Sequence, residues 1–225
     1  MNRMVLFSGM GADERIFLPQ THRFPDTTVC EWIAPLSMRE PIREYAQRLI
    51  AENGWQSSDQ LAFGGASFGG VIAQEIAHEL KAPACILMGS MRSIDGIPTS
   101  VRLGGRIASP LLPFVPMRPI LWLLTQIPKS KLPLGVRGFL TQAQVSDPDF
   151  LRWAIRALLR WKPPADYRTP TFQIHGRQDW ILPAKLATRA DLMIDGGHII
   201  SMTQGPAVNQ FIRESLASLG LEIRV

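Results

Sequence analysis

Short apolar runs alternate with amphipathic stretches along this chain. Residues 4–8 (Met-Val-Leu-Phe-Ser) form the first run and end in the glycine turn Gly9-Met10-Gly11. Similar runs recur at 28–33, 60–64, 84–88, 171–175 and 190–194. Largely apolar runs of this length predict strands covered on both faces. Between them the period lengthens. Ile42, Tyr45, Leu49 and Ile50 share one face of a helix predicted over 41–53, with Gly54 just past its end. Further helices are predicted over 68–80 (closed by Pro83), near 183–188, and over 206–219 with Pro206 in the first turn. Asp13 reads as an N-cap, and Asp13 with Glu14 suits the positive end of a following helix. A strand followed each time by a crossover predicts an α/β fold with a mostly parallel, doubly wound sheet of about six strands.

Residues 91–165 break the pattern. They hold ten of the 18 prolines, three of the six tryptophans, and eleven Lys or Arg against three acids. The segment is therefore strongly basic within a chain whose net charge is only +5. A helix is predicted over 149–161, with arginines and apolar residues interleaved. The whole segment reads as a helical insertion above the sheet, left at Lys162-Pro163-Pro164. The implied division is a core of 1–90 and 166–225 with an insertion at 91–165.

Composition narrows the class. The chain has 225 residues, 46% hydrophobic and 19% charged, enough for a sizeable core without staples. The most apolar stretch, Leu111 to Ile127, is broken by Pro113, Pro116 and Pro119 and carries Arg118, so no membrane span is expected. The apolar part of the start is too short for a signal peptide, and Cys30 and Cys85 make no disulfide framework; a cytoplasmic location is expected. Both cysteines fall in predicted strands and read as packing residues. The pI is near 9.7, yet no basic run or nucleic-acid motif is present, so no nucleic-acid partner is expected. No His, Cys and acid cluster has metal-ligand spacing. Gly9-x-Gly11 fails as a dinucleotide fingerprint because position 14 is Glu. No metal and no cofactor are expected.

One motif carries chemistry. Gly65-Ala66-Ser67-Phe68-Gly69 fits G-x-S-x-G directly after a strand and before a helix. A turn this tight lifts the serine above the sheet in a strained conformation, and residues two positions either side must be tiny to avoid collision. A serine needs a base. His22 reads as solvated, His78 as structural or exposed, and His175 as ordering the turn before Gly176. His198, in the loop Asp195-Gly196-Gly197-His198 after the last strand, is the preferred base. Asp179, in the loop after the fifth strand, is the preferred acid, with Asp95 as runner-up and Asp195 turning its own loop. Ser67, Asp179 and His198 all follow strands at the carboxyl edge, where parallel sheets gather ligands.

These motifs, with Gly176-Arg177-Gln178-Asp179 and Pro183, and with Gly197-His198 followed by Pro206 and Val208-Asn209, resemble the α/β-hydrolase superfamily. The resemblance covers the chain outside the insertion. It implies Ser67 as nucleophile, His198 as base and Asp179 as acid. It also implies an oxyanion hole from the backbone N–H groups of Phe68 and Met10. Many relatives have His-Gly where this chain has Ser8-Gly9, and two antiparallel edge strands of the family look absent or reduced. The insertion is then a cap. Its apolar set includes Leu111, Leu112, Phe114, Ile120, Leu121, Trp122 and Leu124. Arg92, Arg102, Arg106, Arg118, Lys129, Lys131 and Arg137 lie nearby. The set either packs on the cap's own body or forms an acyl or aryl pocket with a basic rim, suited to an apolar acyl substrate with an anionic group. The expected activity is hydrolysis of a carboxylic ester, or a thioester, through an acyl-enzyme. Acyl transfer, carbon–carbon hydrolysis and a non-catalytic ligand-binding protein remain the alternatives.

Overall fold

The protein's structure, a computed structural model, describes residues 3–116, 119, 122 and 147–225. The element order is β1 (Met4–Phe7), a 3-10 turn (Glu14–Phe17), α1 (Leu18–Arg23), β2 (Thr27–Cys30), α2 (Ile42–Asn53), β3 (Ala62–Ala66), α3 (Phe68–Glu79) and β4 (Cys85–Met88). α4 (Thr99–Ala108), a 3-10 stretch (Ser109–Phe114) and α5 (Pro148–Arg160) stand between β4 and β5 (Thr171–Gly176). β6 (Leu192–Ile194), α6 (Ile200–Thr203) and α7 (Gly205–Ala217) follow.

All six strands pair in parallel, in the order β2-β1-β3-β4-β5-β6. The strand order reverses between β1 and β3, so the crevice of this sheet opens at their carboxyl ends. The predicted runs fall on these strands, with shifts at the edges. β2 stops at Cys30 rather than 33 because its partner β1 ends at Phe7. β6 starts at Leu192 rather than 190 and meets only Ile174 to Gly176 of β5. Asp13 does cap, its side chain accepting from the Arg15 N–H, but it opens the 3-10 turn, and the α-helix begins only at Leu18.

Alternation along the central strands sends side chains into two apolar layers. Val5, Phe7, Phe63, Cys85 and Leu87 point to the layer made with α2, α3 and α5. Met4, Leu6, Ala62, Ile86 and Met88 point to the layer made with α7 and the first 3-10 turn. No residue of β1 or β4 is left to solvent, which is why both read as continuous apolar runs.

Between β4 and β5 the described elements are helical. α5 joins the main core, since Phe150, Trp153, Ala154 and Ala157 pack with Tyr45 and Phe68. Trp153 is fully buried, its ring 4.3 Å from that of Tyr45, and its indole N–H donates to the Glu40 carbonyl at 2.9 Å. Trp153→Phe keeps an aromatic ring there but leaves that carbonyl unpaired and a gap beside it. It should cost about 1–3 kcal/mol, read as a lower urea midpoint; an unchanged midpoint would remove Trp153 as the anchor of α5. α4 packs through Gly105 against Leu159 and leaves Val101, Leu103 and Ile107 exposed. Leu111, Phe114 and Trp122 are exposed too. The side chain of Leu112, and Arg118, Ile120, Leu121, Leu124, Lys129, Lys131 and Arg137, lie outside the described residues.

Candidate active site

The turn from β3 into α3 sets Ser67 at φ 52° and ψ −122°, one of three non-glycine residues with positive φ among the described residues. The neighbouring glycines explain how the chain tolerates it. A Cβ on Gly65 would lie 2.3 Å from the Gly69 carbonyl carbon, and a Cβ on Gly69 would lie 2.0 Å from the Phe7 carbonyl oxygen. Only hydrogen fits either place, so α3 can start hard against the ends of β1 and β3. The elbow is also strapped from β4: the Ser67 N–H donates to the Met88 carbonyl at 3.3 Å, and the Ser90 hydroxyl donates to the Ser67 carbonyl at 2.6 Å. Sequence reasoning passed over Ser90, although a Gly-Ser pair at a strand's carboxyl end is a readable signal.

Asp179 and His198 meet. Asp179 lies in the loop after β5 with its carboxylate fully buried. Oδ1 accepts from the Ile181 and Leu182 N–H groups, both at 2.9 Å. Oδ2 lies 2.8 Å from Nδ1 of His198. Two backbone N–H groups and the His198 ring thus satisfy the oxygens of a buried carboxylate. The arrangement fixes His198 with its proton on Nδ1, leaving Nε2 as the basic nitrogen. That Nε2 has no protein partner among the described residues, and the Ser67 hydroxyl makes no hydrogen bond to it. Both adjoin the chain end of β4: the Ser67 N–H donates to Met88, and the next residue, Gly89, packs against the His198 carbonyl.

His175 enters the same cluster, beyond the turn-ordering role expected of it. Its Nε2 is 2.8 Å from the Leu182 carbonyl and 3.3 Å from Asp179 Oδ2, so one ring N–H serves both, while Nδ1 is buried without a partner. His175→Leu would leave the Leu182 carbonyl unpaired and should cost about 1–3 kcal/mol in urea unfolding. His175→Gln, which can still donate, should cost less; equal losses for the two would mean that the ring only fills space. The other candidates lie elsewhere. His22 is exposed on α1, and His78 sits on α3 beside Asp166 and Tyr167. Asp95 is exposed and bonded to Arg102 at 2.6 Å; the Arg102 guanidinium, then the Ser93 hydroxyl, hold its carboxyl below the usual carboxylate value. Asp195 is exposed near Arg177. Burial pushes the Cys30 thiol up to about 11 and the Cys85 thiol up to about 12, so neither is a thiolate near neutrality.

The loop after β1 completes the edge. Gly9 stands against Ser67, where a Cβ would be 3.4 Å from the serine Cβ. The Ser8 hydroxyl donates to the Ala12 carbonyl at 2.8 Å and accepts from the Trp32 indole at 2.9 Å, which braces the turn. The N–H groups of Met10 and Phe68 donate to no protein acceptor among the described residues. Trp32, Phe68 and Phe150 pack in tilted and edge-on pairs as an aromatic wall beside the elbow, at ring separations of 5.3 to 6.3 Å. Among the described residues no group of three or more His, Cys, Asp and Glu could hold a metal ion, and no helix is long and apolar enough to cross a membrane.

This architecture is the α/β-hydrolase fold: a parallel sheet of six strands, helices on both faces, and a strained serine turn after β3. No protein-family model matches the sequence, and no curated protein matches it. Solved structures do match. MenH from S. aureus superposes with a TM-score of 0.67 at 15% identity, over 98% of this chain and 95% of that one. An enol-lactonase from Burkholderia xenovorans LB400 gives 0.70 at 13% identity, over 96% and 92%. A thermophilic esterase from Thermogutta terrifontis gives 0.63 at 17% identity, over 97% and 90%. Likeness at this level of identity establishes the fold.

Proposed function

We propose that the protein is a serine hydrolase acting on a carboxylic ester, with a thioester as the second substrate class. One observation carries the reading: a serine held at positive φ stands on the same sheet edge as a histidine whose Nδ1 is fixed by a buried carboxylate. The esterase and the enol-lactonase among the structural matches are named for ester chemistry, a lactone being a cyclic ester, which favours the same bond here.

The residues divide the work as follows. The Ser67 hydroxyl attacks the carbonyl carbon while His198 Nε2 takes its proton. Asp179 keeps the imidazole in the correct tautomer and stabilises the imidazolium. The Phe68 and Met10 amides hold the tetrahedral oxyanion. The intermediate collapses as His198 protonates the leaving alcohol or thiol. Water, deprotonated by His198, then cleaves the acyl-enzyme and restores Ser67. The Ser67–His198 hydrogen bond, absent without substrate, forms as substrate closes the site. Residues 91–165 act as a cap whose basic excess favours an apolar acyl substrate carrying an anionic group, in a cytoplasmic setting.

A fluorophosphonate probe read by intact mass tests the reading. Wild type should take a single adduct, mapped to Ser67. A folded wild type that takes none would sink the proposal and move a ligand-binding role forward.

A further inference from the structure

Away from the serine edge, α5 buries an arginine. Arg156 keeps 7% of its surface and has one hydrogen bond, from Nη1 to the Ser109 carbonyl at 2.9 Å. Its Nε is buried without an acceptor, and among the described residues it forms no ion pair. A guanidinium stays charged at any physiological pH, and burying it without a counter-charge is costly.

The side chain lines a cavity of about 300 Å³ between α5, its C-terminal exit and the start of α2. Arg39, Arg43, Arg160 and Lys162 line it too. Burial, then the charges of Arg160 and Arg39, disfavour the charged form of Arg156. Arg43 has only a long contact to Glu79, at 3.6 Å, and Arg39, Arg160 and Lys162 pair with no described acid.

Two acids also line the wall, and each is already engaged by other partners. Glu40 spends its carboxylate on Arg48, at 2.8 Å, and on the Leu36 N–H, at 2.6 Å. Glu75 accepts from the Trp161 indole at 2.6 Å, and burial raises its carboxyl above the usual value. Five cationic side chains therefore line the cavity against two acids that are already engaged. Met38, Ile42, Ala157 and Trp161 supply apolar wall beside them.

We propose that this cavity binds a small phosphomonoester, the phosphate against Arg156 and its flanking cations and the organic part on the apolar wall. A dianion matches several unpaired cations where a carboxylate would offset one, and guanidinium geometry suits phosphate oxygens. The site is distinct from the serine edge. Glu75 lies eight residues along α3 from Ser67, about 12 Å at the rise of an α-helix.

The test is binding, with no readout of hydrolysis. Inorganic phosphate and phenyl phosphate are titrated into the full chain by calorimetry and thermal denaturation, with sodium chloride at matched ionic strength as control. Both anions should raise the melting temperature above the chloride control, and phenyl phosphate should bind more tightly. Arg156→Gln should weaken binding by about ten- to a hundredfold, the loss expected for charge-assisted hydrogen bonds. Because Arg156 is buried, Arg160→Gln/Lys162→Gln provides a second arm that alters only exposed side chains, and it too should weaken binding. Stabilisation no greater than that from chloride, or folded variants that bind like wild type, would overturn the site. Equal affinity for the two anions would overturn its organic part.

Discussion

Ser67→Ala is expected to leave a folded protein whose ester hydrolysis falls by roughly 10⁴- to 10⁶-fold, with no fluorophosphonate adduct. The size follows from the division of labour proposed above. Without the hydroxyl no acyl-enzyme forms, and only oriented water with the Phe68 and Met10 amides remains. Folding should survive because the straps of the elbow are backbone groups: the Ser67 N–H reaches Met88, and its carbonyl accepts from Ser90. A companion variant separates chemistry from strain. Ser67→Gly should be equally inactive yet more stable than Ser67→Ala, because φ 52° with ψ −122° is a conformation that glycine adopts freely and other residues hold at about 1–3 kcal/mol. Residual activity in Ser67→Ala within tenfold of wild type would assign the nucleophile elsewhere. A glycine variant no more stable than the alanine variant would remove the strain argument while leaving the nucleophile intact.

Gly69→Ala should fail at an earlier stage. The added methyl would stand 2.0 Å from the Phe7 carbonyl oxygen and 2.2 Å from that of Ser8. Both are backbone atoms at the end of a buried central strand, so neither can rotate away. Relief requires α3 to slide from β1, which would open the aromatic layer of Phe7, Phe63 and Phe68. The loss should exceed about 4 kcal/mol, the range reserved for gross steric damage. That is a large part of the stability of a typical domain, so insoluble or unfolded protein is the expected outcome. Gly104→Ala is the internal control. Gly104 lies on the exposed α4 with no atom within 4 Å of an added Cβ. It should gain up to about 1 kcal/mol from helix propensity. Circular dichroism and urea midpoints of the two variants decide the matter. A well-folded Gly69→Ala would mean that α3 does not seat on β1 as described.

Much of this was legible before any coordinates. β1 and β4 read clearly because they are buried on both faces and so apolar without alternation. The edge strands β2 and β6 read less clearly, since each has one partner, and its ends depend on where that partner stops. Asp95 competed with Asp179 for the acid because both follow strands at the right edge. In space the two part: Asp95 faces Arg102, while Asp179 faces His198. The neighbouring part of His175 was invisible, because its contact with Asp179 depends on the loop folding back over β5. Arg156 was equally hidden, since an interleaved arginine on an amphipathic helix ordinarily points to water.

Local constraints are written along the chain. A strained turn needs glycines two positions either side of the serine, and a buried strand needs consecutive apolar residues. The α/β class, the Ser67 elbow and the order of Ser67, Asp179 and His198 follow from such short-range steric and solvation rules. The strand order β2-β1-β3-β4-β5-β6, the meeting of Asp179 with His198, the added contact of His175 and the buried charge of Arg156 arise otherwise. Each depends on groups far apart in sequence meeting at one place, and only the packed chain sets which groups lose water together.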